Sequence, residues 1–270
     1  MTPRVLTLYH YFEKDETYRE NFEYFLSHGI VDDVDYLVII NGACSVPLHK
    51  RDNIKYFGRE NVGFDFGGYV DVVNFYPGIA SYDYVFFINS IVRGPFLPAY
   101  AAFPWTRPFL DLLQGDVKLV GASINVLHPR TMLSDTFASL APGFREPFSH
   151  VQTSMFAMDR DCLAFLTERN FFGRGNAPGK VESVFLYEIL MSQLVLNRGW
   201  NIAGVLPPFK DIDYRTLEVD PNPTSIDGNM WYPNAYFGRN IHPFETIFFN
   251  TKADYADFDL MRQLGRKSGN

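Results

Sequence analysis

Three stretches of the chain are apolar or aromatic almost from end to end: residues 5–11 (Val-Leu-Thr-Leu-Tyr-His-Tyr), 35–40 (Asp-Tyr-Leu-Val-Ile-Ile) and 84–88 (Tyr-Val-Phe-Phe-Ile). A strand with one wet face alternates apolar and polar residues, whereas a continuous run is buried on both faces. Helical spacing lies between them. Residues 16–28 carry Tyr18, Phe22, Phe25 and Leu26 at that spacing, with Gly29 in a C-cap position. Residues 67–75 read as a short helix and 53–57 as another strand. Two-sided strands separated by helices predict an α/β fold, a mostly parallel sheet covered on both faces.

The second half repeats this pattern less regularly. Residues 117–124 and 151–158 read as strands, 161–169 as a helix, 181–198 as a longer helix closed by Gly199, and 201–206 as a further strand. From Pro207 onward Pro, Asn, Asp and aromatic residues dominate, which predicts a loop-rich wrap rather than a second domain. We therefore expect one domain over residues 1–270.

Composition matters mainly for what it excludes. At 47% hydrophobic and 20% charged, the chain can bury a sizeable core. The net charge of −7 lacks any compensating basic run, which argues against a nucleic-acid partner. Cys44 and Cys162 have neither metal-ligand spacing nor the look of a disulfide framework. The first residues lack a signal-peptide layout, and no apolar run is long enough to form a transmembrane segment. A cytoplasmic location is the expectation. Aromatic residues make up 17%, a share that suits either a Phe-rich core or sugar-stacking surfaces.

Common catalytic signatures are missing. No Gly-x-Gly-x-x-Gly follows the first strand, no Walker A sequence or Gly-x-Ser-x-Gly elbow occurs, and His242-Pro-Phe-Glu245 resembles a metal-ligand pair only loosely. What remains is polar residues at strand ends. His10-Tyr11 ends the first strand, Asn41-Gly42 the second, residues 61–65 follow the third, and Asn89-Ser90 ends the fourth. In open α/β sheets ligands bind at such ends, so four of them predict one crevice.

The most specific stretch is Asn61-Val62-Gly63-Phe64-Asp65-Phe66-Gly67-Gly68. Its glycines permit positive φ and close backbone approach, and Asp65 can accept hydrogen bonds from ribose hydroxyls or a base N–H. This stretch resembles the Asn-x-Gly-x-Asp-x-Gly segment of rhamnan-synthesis F-type proteins and related family 2-like glycosyltransferases of bacteria, algae and algal viruses. The resemblance continues through residues 84–96, 150–159 and 187–192, and covers most of 1–210.

It implies a GT-A fold (a Rossmann-like nucleotide-diphospho-sugar transferase) with residues 1–125 binding the donor, 126–210 holding acceptor and catalytic groups, and 211–270 wrapping over them. The implied donor is a UDP-, GDP- or dTDP-linked sugar and the acceptor a glycan hydroxyl, in polysaccharide or glycoprotein glycan synthesis. His10, Asn41, Asn61, Gly63, Asp65, Gly67, Asn89, Ser90 and Arg93 fall at donor positions, with Arg93 facing the departing diphosphate. Glu188 inherits the role of general base, and attack opposite the leaving group would invert the anomeric centre. His150, Gln152, Asp213, Arg239 and His242 fall at acceptor or diphosphate positions.

One departure stands out. GT-A enzymes usually carry Asp-x-Asp after the fourth strand to hold Mn²⁺ or Mg²⁺, and here the chain reads Asn89-Ser90-Ile91. Asp211 or Asp213 would have to supply a metal ligand, or Arg93 to replace the ion, and weak metal dependence is expected. The other readings are a catalytically inactive module of this fold that binds carbohydrate or nucleotide, and a nucleotidyltransferase. The latter would need a basic Gly-rich loop after the first strand, where His10-Tyr11-Phe12-Glu13 stands.

Overall fold

The computed structural model describes residues 2–173 and 183–265. The strands are β1 (Val5–Tyr11), β2 (Val34–Asn41), β3 (Ile54–Arg59), β4 (Tyr84–Asn89), β5 (Val92–Arg93), β6 (Val117–Gly121), β7 (Ile124–Leu127), β8 (Phe148–Val151), β9 (Met155–Asp159), β10 (Asn201–Gly204) and β11 (Phe249–Asn250). Seven of them form the central sheet in the order β10-β6-β9-β4-β1-β2-β3. All run parallel except β9, which is antiparallel to both β4 and β6. The fold is mixed α/β, a mostly parallel sheet flanked by helices.

The unbroken apolar strands are buried on both faces, as their sequence requires. Leu6 and Leu8 of β1 enter the larger core cluster, while Val5, Tyr9 and Tyr11 enter a second one across the sheet. In β4 the split is Val85 and Phe87 against Phe86 and Ile88. Phe87 stacks on Phe156 of β9 with ring centroids 4.6 Å apart. Losing either ring would cost about 3–5 kcal/mol.

The helices are α1 (Glu16–His28), α2 (Phe64–Phe75), α3 (Arg107–Leu110), α4 (Met132–Leu140), α5 (Arg160–Glu168), α6 (Leu190–Asn197), α7 (Pro243–Thr246) and α8 (Phe258–Leu264). Helix α1 starts where Asp15 accepts a hydrogen bond from the Tyr18 N–H, and the Gly29 N–H closes it on Phe25 O. Gly29 is there for closeness: an added Cβ would lie 2.5 Å from the Phe25 ring.

Several sequence expectations need correction. The strand expected over 117–124 breaks after Gly121, where an added Cβ would lie 2.4 Å from Val151 Cγ1. Beyond it the chain leaves the central sheet, and β7 pairs with β8 instead. The strand expected over 151–158 is two strands, with His150 inside β8 and Gln152 in the connection between β8 and β9. Helix α2 begins at Phe64, three residues before the expected start. Of the helix expected over 181–198, residues 181 and 182 lie outside the described residues. The rest is a π-helical turn (Val184–Ile189) leading into α6. The tail after Pro207 is irregular as expected, yet β11 returns to pair with β5. Cys44 and Cys162 are both free thiols. Among the described residues, no helix is long and apolar enough to cross a membrane.

Candidate functional site

Strand β1 has β2 on one side and β4 on the other, so the chain reverses its direction of travel across the sheet at β1/β4. A crevice opens outside the carboxyl ends of strands at such a point. His10, Asn41, Arg59 and Asn89 occupy those ends in β1, β2, β3 and β4. A polar network joins them to the following loop. Arg59 donates from Nε to Asp71 at 2.7 Å, and from Nη1 to Asn41 Oδ1 at 3.1 Å and Val62 O at 3.0 Å. Asn41 Nδ2 donates to Asn61 Oδ1 at 3.3 Å and Phe64 O at 3.2 Å.

Asp65 sits in the first turn of α2 and ties this loop to β4. Its Oδ1 accepts the Phe66 N–H at 3.0 Å and its Oδ2 accepts Asn89 Nδ2 at 2.7 Å. Asn89 Oδ1 in turn accepts the Ile91 N–H at 3.1 Å. A hydrogen bond to a charged partner of this kind contributes about 1.5–3 kcal/mol. His10 is buried, and an added Cβ at Gly68 would lie 3.0 Å from its Cδ2. Burial lowers its pKa to about 4, against the pull of Asp65, so the ring is neutral at pH 7. Its Nε2 has no hydrogen-bond partner.

The loop is held in a costly shape. Gly63 (φ 76°) and Phe64 (φ 56°) are consecutive left-handed residues. For glycine this is free, but for Phe64 it costs about 1–2 kcal/mol.

A second cluster adjoins the first. Glu188 lies in the π-helical turn, a rare geometry that recurs at functional sites. Its Oε2 accepts the Thr153 N–H at 3.0 Å and the Thr153 hydroxyl at 2.6 Å. Its Oε1 is 3.7 Å from Nε2 of the buried His150. His150 Nδ1 donates to Phe148 O at 3.0 Å, since a carbonyl can only accept. Burial holds the His150 pKa below its usual value, with Glu188 opposing, so the neutral ring turns an Nε2 lone pair toward Glu188. The clusters are joined twice: Asn89 N donates to Ser154 O at 3.1 Å, and Phe66 stacks on Tyr187 at 4.7 Å.

The remaining expected residues lie in other settings. Ser90 Oγ accepts the Phe12 N–H at the end of β1, and Gly67 is buried in α2. Arg93 is only 6% exposed and is engaged by Asn21 at 2.8 Å, by Glu20 at 2.7 Å and by the Phe258 ring, so it is not brought to the crevice network. Gln152 Oε1 accepts from Ser123 and Trp231, both at 2.5 Å. Asp213 is clamped by Arg215, Arg239 by Glu245, and His242 caps α7. Asp211 is exposed. Of the tail aromatics, Trp231 and Tyr236 are buried, while Tyr232 and Phe237 are exposed.

Among the described residues, no three His, Cys, Asp or Glu side chains form a group that could hold a metal ion. At the end of β4 the oxygens belong to neutral Asn89 and Ser90, and both Asp65 oxygens already accept hydrogen bonds. This donor set does not fit a hard divalent cation, and no step below is routed through one. Sequence reasoning missed Arg59, Asp71 and Thr153. For Arg59 the signal was its place at the end of the third strand; Asp71 and Thr153 offered none.

No family model and no curated protein matches the chain. Several solved glycosyltransferases are similar to it in structure. A mannosyltransferase from Pyrobaculum calidifontis, solved with GDP-Man and Mn²⁺, is 11% identical with a TM-score of 0.45; the match covers 76% of this chain but only 55% of that one. The galactosyltransferase LgtC, solved with donor and acceptor sugar analogs, is 13% identical with a TM-score of 0.38, over 72% of this chain and 70% of that one. A glycosyltransferase involved in glycosylation of the major capsid of PBCV-1 is 18% identical with a TM-score of 0.31, over 68% and 76%. At these scores the likenesses carry no argument about function, which rests on the chain's own residues.

Proposed function

We propose that this chain is a glycosyltransferase that moves a hexosyl or pentosyl group from a nucleotide-diphosphate sugar to a hydroxyl of a glycan acceptor, with inversion. The observation that carries the reading is the half-buried Glu188, held by Thr153 beside the polar strand ends at the β1/β4 reversal. The crevice, within residues 1–125, takes the nucleotide: Asp65 and Asn89 lie at the reversal, where ribose and diphosphate sit in such sheets. Residues 126–210 supply the chemistry, and 211–270 cover both.

Glu188 takes the proton of the acceptor hydroxyl as that oxygen attacks the anomeric carbon and the nucleoside diphosphate departs. A proton arriving on Oε1 meets the lone pair of His150 Nε2, so the neutral histidine stabilises the protonated carboxyl. Thr153 fixes the other oxygen and hence the direction of the carboxylate. Gln152, bound to Ser123 and Trp231, ties the tail to the turn that carries Thr153.

The test is a panel of UDP-, GDP- and dTDP-sugars. One nucleotide should raise the melting temperature, and its sugar conjugate should release nucleoside diphosphate, faster with acceptor present. Stabilisation without release would favour the inactive binding module. No response to any nucleotide would overturn the proposal.

A further inference from the structure

The segment from the end of β3 to the first residue of α2 carries two large apolar side chains that take no part in the core. Val62 is 47% exposed and Phe64 46%. The loop is tied by polar contacts: Arg59 holds Val62 O, and Asn41 holds both Asn61 Oδ1 and Phe64 O. Asp71 fixes Arg59 in turn through a 2.7 Å ion pair. The fold therefore spends a mostly buried arginine and a buried asparagine on orienting four residues, and keeps a phenylalanine at positive φ where glycine would be relaxed. Core packing does not explain the ring, which is nearly half exposed and, among the described residues, forms no aromatic pair.

Its location does. Phe64 precedes by four residues Gly68, the α2 residue that lies against His10 and Ile39 near the ends of β1 and β2. Phe64 O accepts from Asn41 at the end of β2, and Asp65 beside it reaches Asn89 at the end of β4, so the ring stands about two strand spacings, roughly 10 Å, from that end. An extended nucleoside diphosphate spans that distance. With the diphosphate at the β1/β4 reversal, its base reaches the loop after β3.

Building on the proposed nucleotide-sugar donor, we infer that Phe64 is a preorganised platform on which the nucleobase of the donor stacks, with Arg59 and Asn41 as the residues that hold it in position. The ordering is complete before the ligand arrives, so less conformational freedom is lost on binding. A flat ring accepts any base, so Phe64 contributes affinity for the nucleoside part and leaves the choice of base to other contacts.

The experiment titrates wild type, Phe64→Gly and Phe64→Trp with the nucleoside diphosphate that wild type binds, and with inorganic pyrophosphate as the base-free control. Phe64→Gly should weaken nucleoside diphosphate binding by about tenfold or more, while pyrophosphate binding holds and the melting temperature does not fall. Phe64→Trp should bind the nucleotide as well as wild type. Equal affinity of Phe64→Gly and wild type for the nucleotide would overturn the inference and leave the glycosyltransferase reading standing. So would a parallel loss for nucleotide and pyrophosphate, which would make the ring a loop-shaping element. A wild type that binds no nucleoside diphosphate would sink both.

Discussion

The two polar clusters at the crevice differ in how completely they use their hydrogen-bonding capacity. Around the nucleotide end, Asn41 uses both ends of its amide, Asp65 both oxygens, and Asn89 both of its polar groups. In the second cluster Glu188 accepts two bonds on Oε2, while Oε1 faces an imidazole lone pair. A network whose members hold one another is stiff, which suits positioning. A carboxylate with one oxygen uncommitted suits proton transfer. On the proposed reading, the difference separates binding from chemistry.

Glu188→Gln strikes that division hardest. Gln can still accept from Thr153 but cannot take a proton, so transfer should fall by about 10²–10⁴-fold. A transfer assay at saturating donor checks this, and retained turnover would move the base elsewhere.

His10 probes the nucleotide end. Its folded pKa of about 4 lies below the ordinary 6.5, so between those values the unfolded chain holds a proton that the folded chain does not. Stability from this group is present above pH 6.5 and is lost as pH falls toward 4, by up to about 3 kcal/mol. Denaturation midpoints measured across that window should depend less steeply on pH in His10→Asn than in wild type. Parallel profiles would contradict the burial argument.

The smallest effect belongs to the tail. Arg239 pairs with Glu245 at an exposed site, and Arg239→Ala should change stability by less than about 0.5 kcal/mol and leave nucleotide affinity alone. A large loss of affinity would instead draw the wrap into the diphosphate site.

Much of this architecture was legible in the sequence because burial on both faces imposes unbroken apolar strands, and β1, β2 and β4 have them. The polar residues after those strands followed from the same logic. Breaks at Gly121 and between Val151 and Met155 were not legible, since they depend on a contact between segments thirty residues apart. Arg93 read as a phosphate ligand because a guanidinium matches a diphosphate, yet Glu20, Asn21 and Phe258 enclose it, partners that no local pattern reveals. The hold of Thr153 on Glu188 is likewise a tertiary fact, spanning 35 positions.

The division of labour is tested most directly by calorimetric titration of the preferred nucleoside diphosphate into Asp65→Ala and Glu188→Gln side by side. Losing the Asp65 contacts should weaken binding by about 10–100-fold, in line with a charged hydrogen bond of about 1.5–3 kcal/mol, while Glu188→Gln binds as tightly as wild type. Equal weakening in both variants, or none in Asp65→Ala, would contradict it.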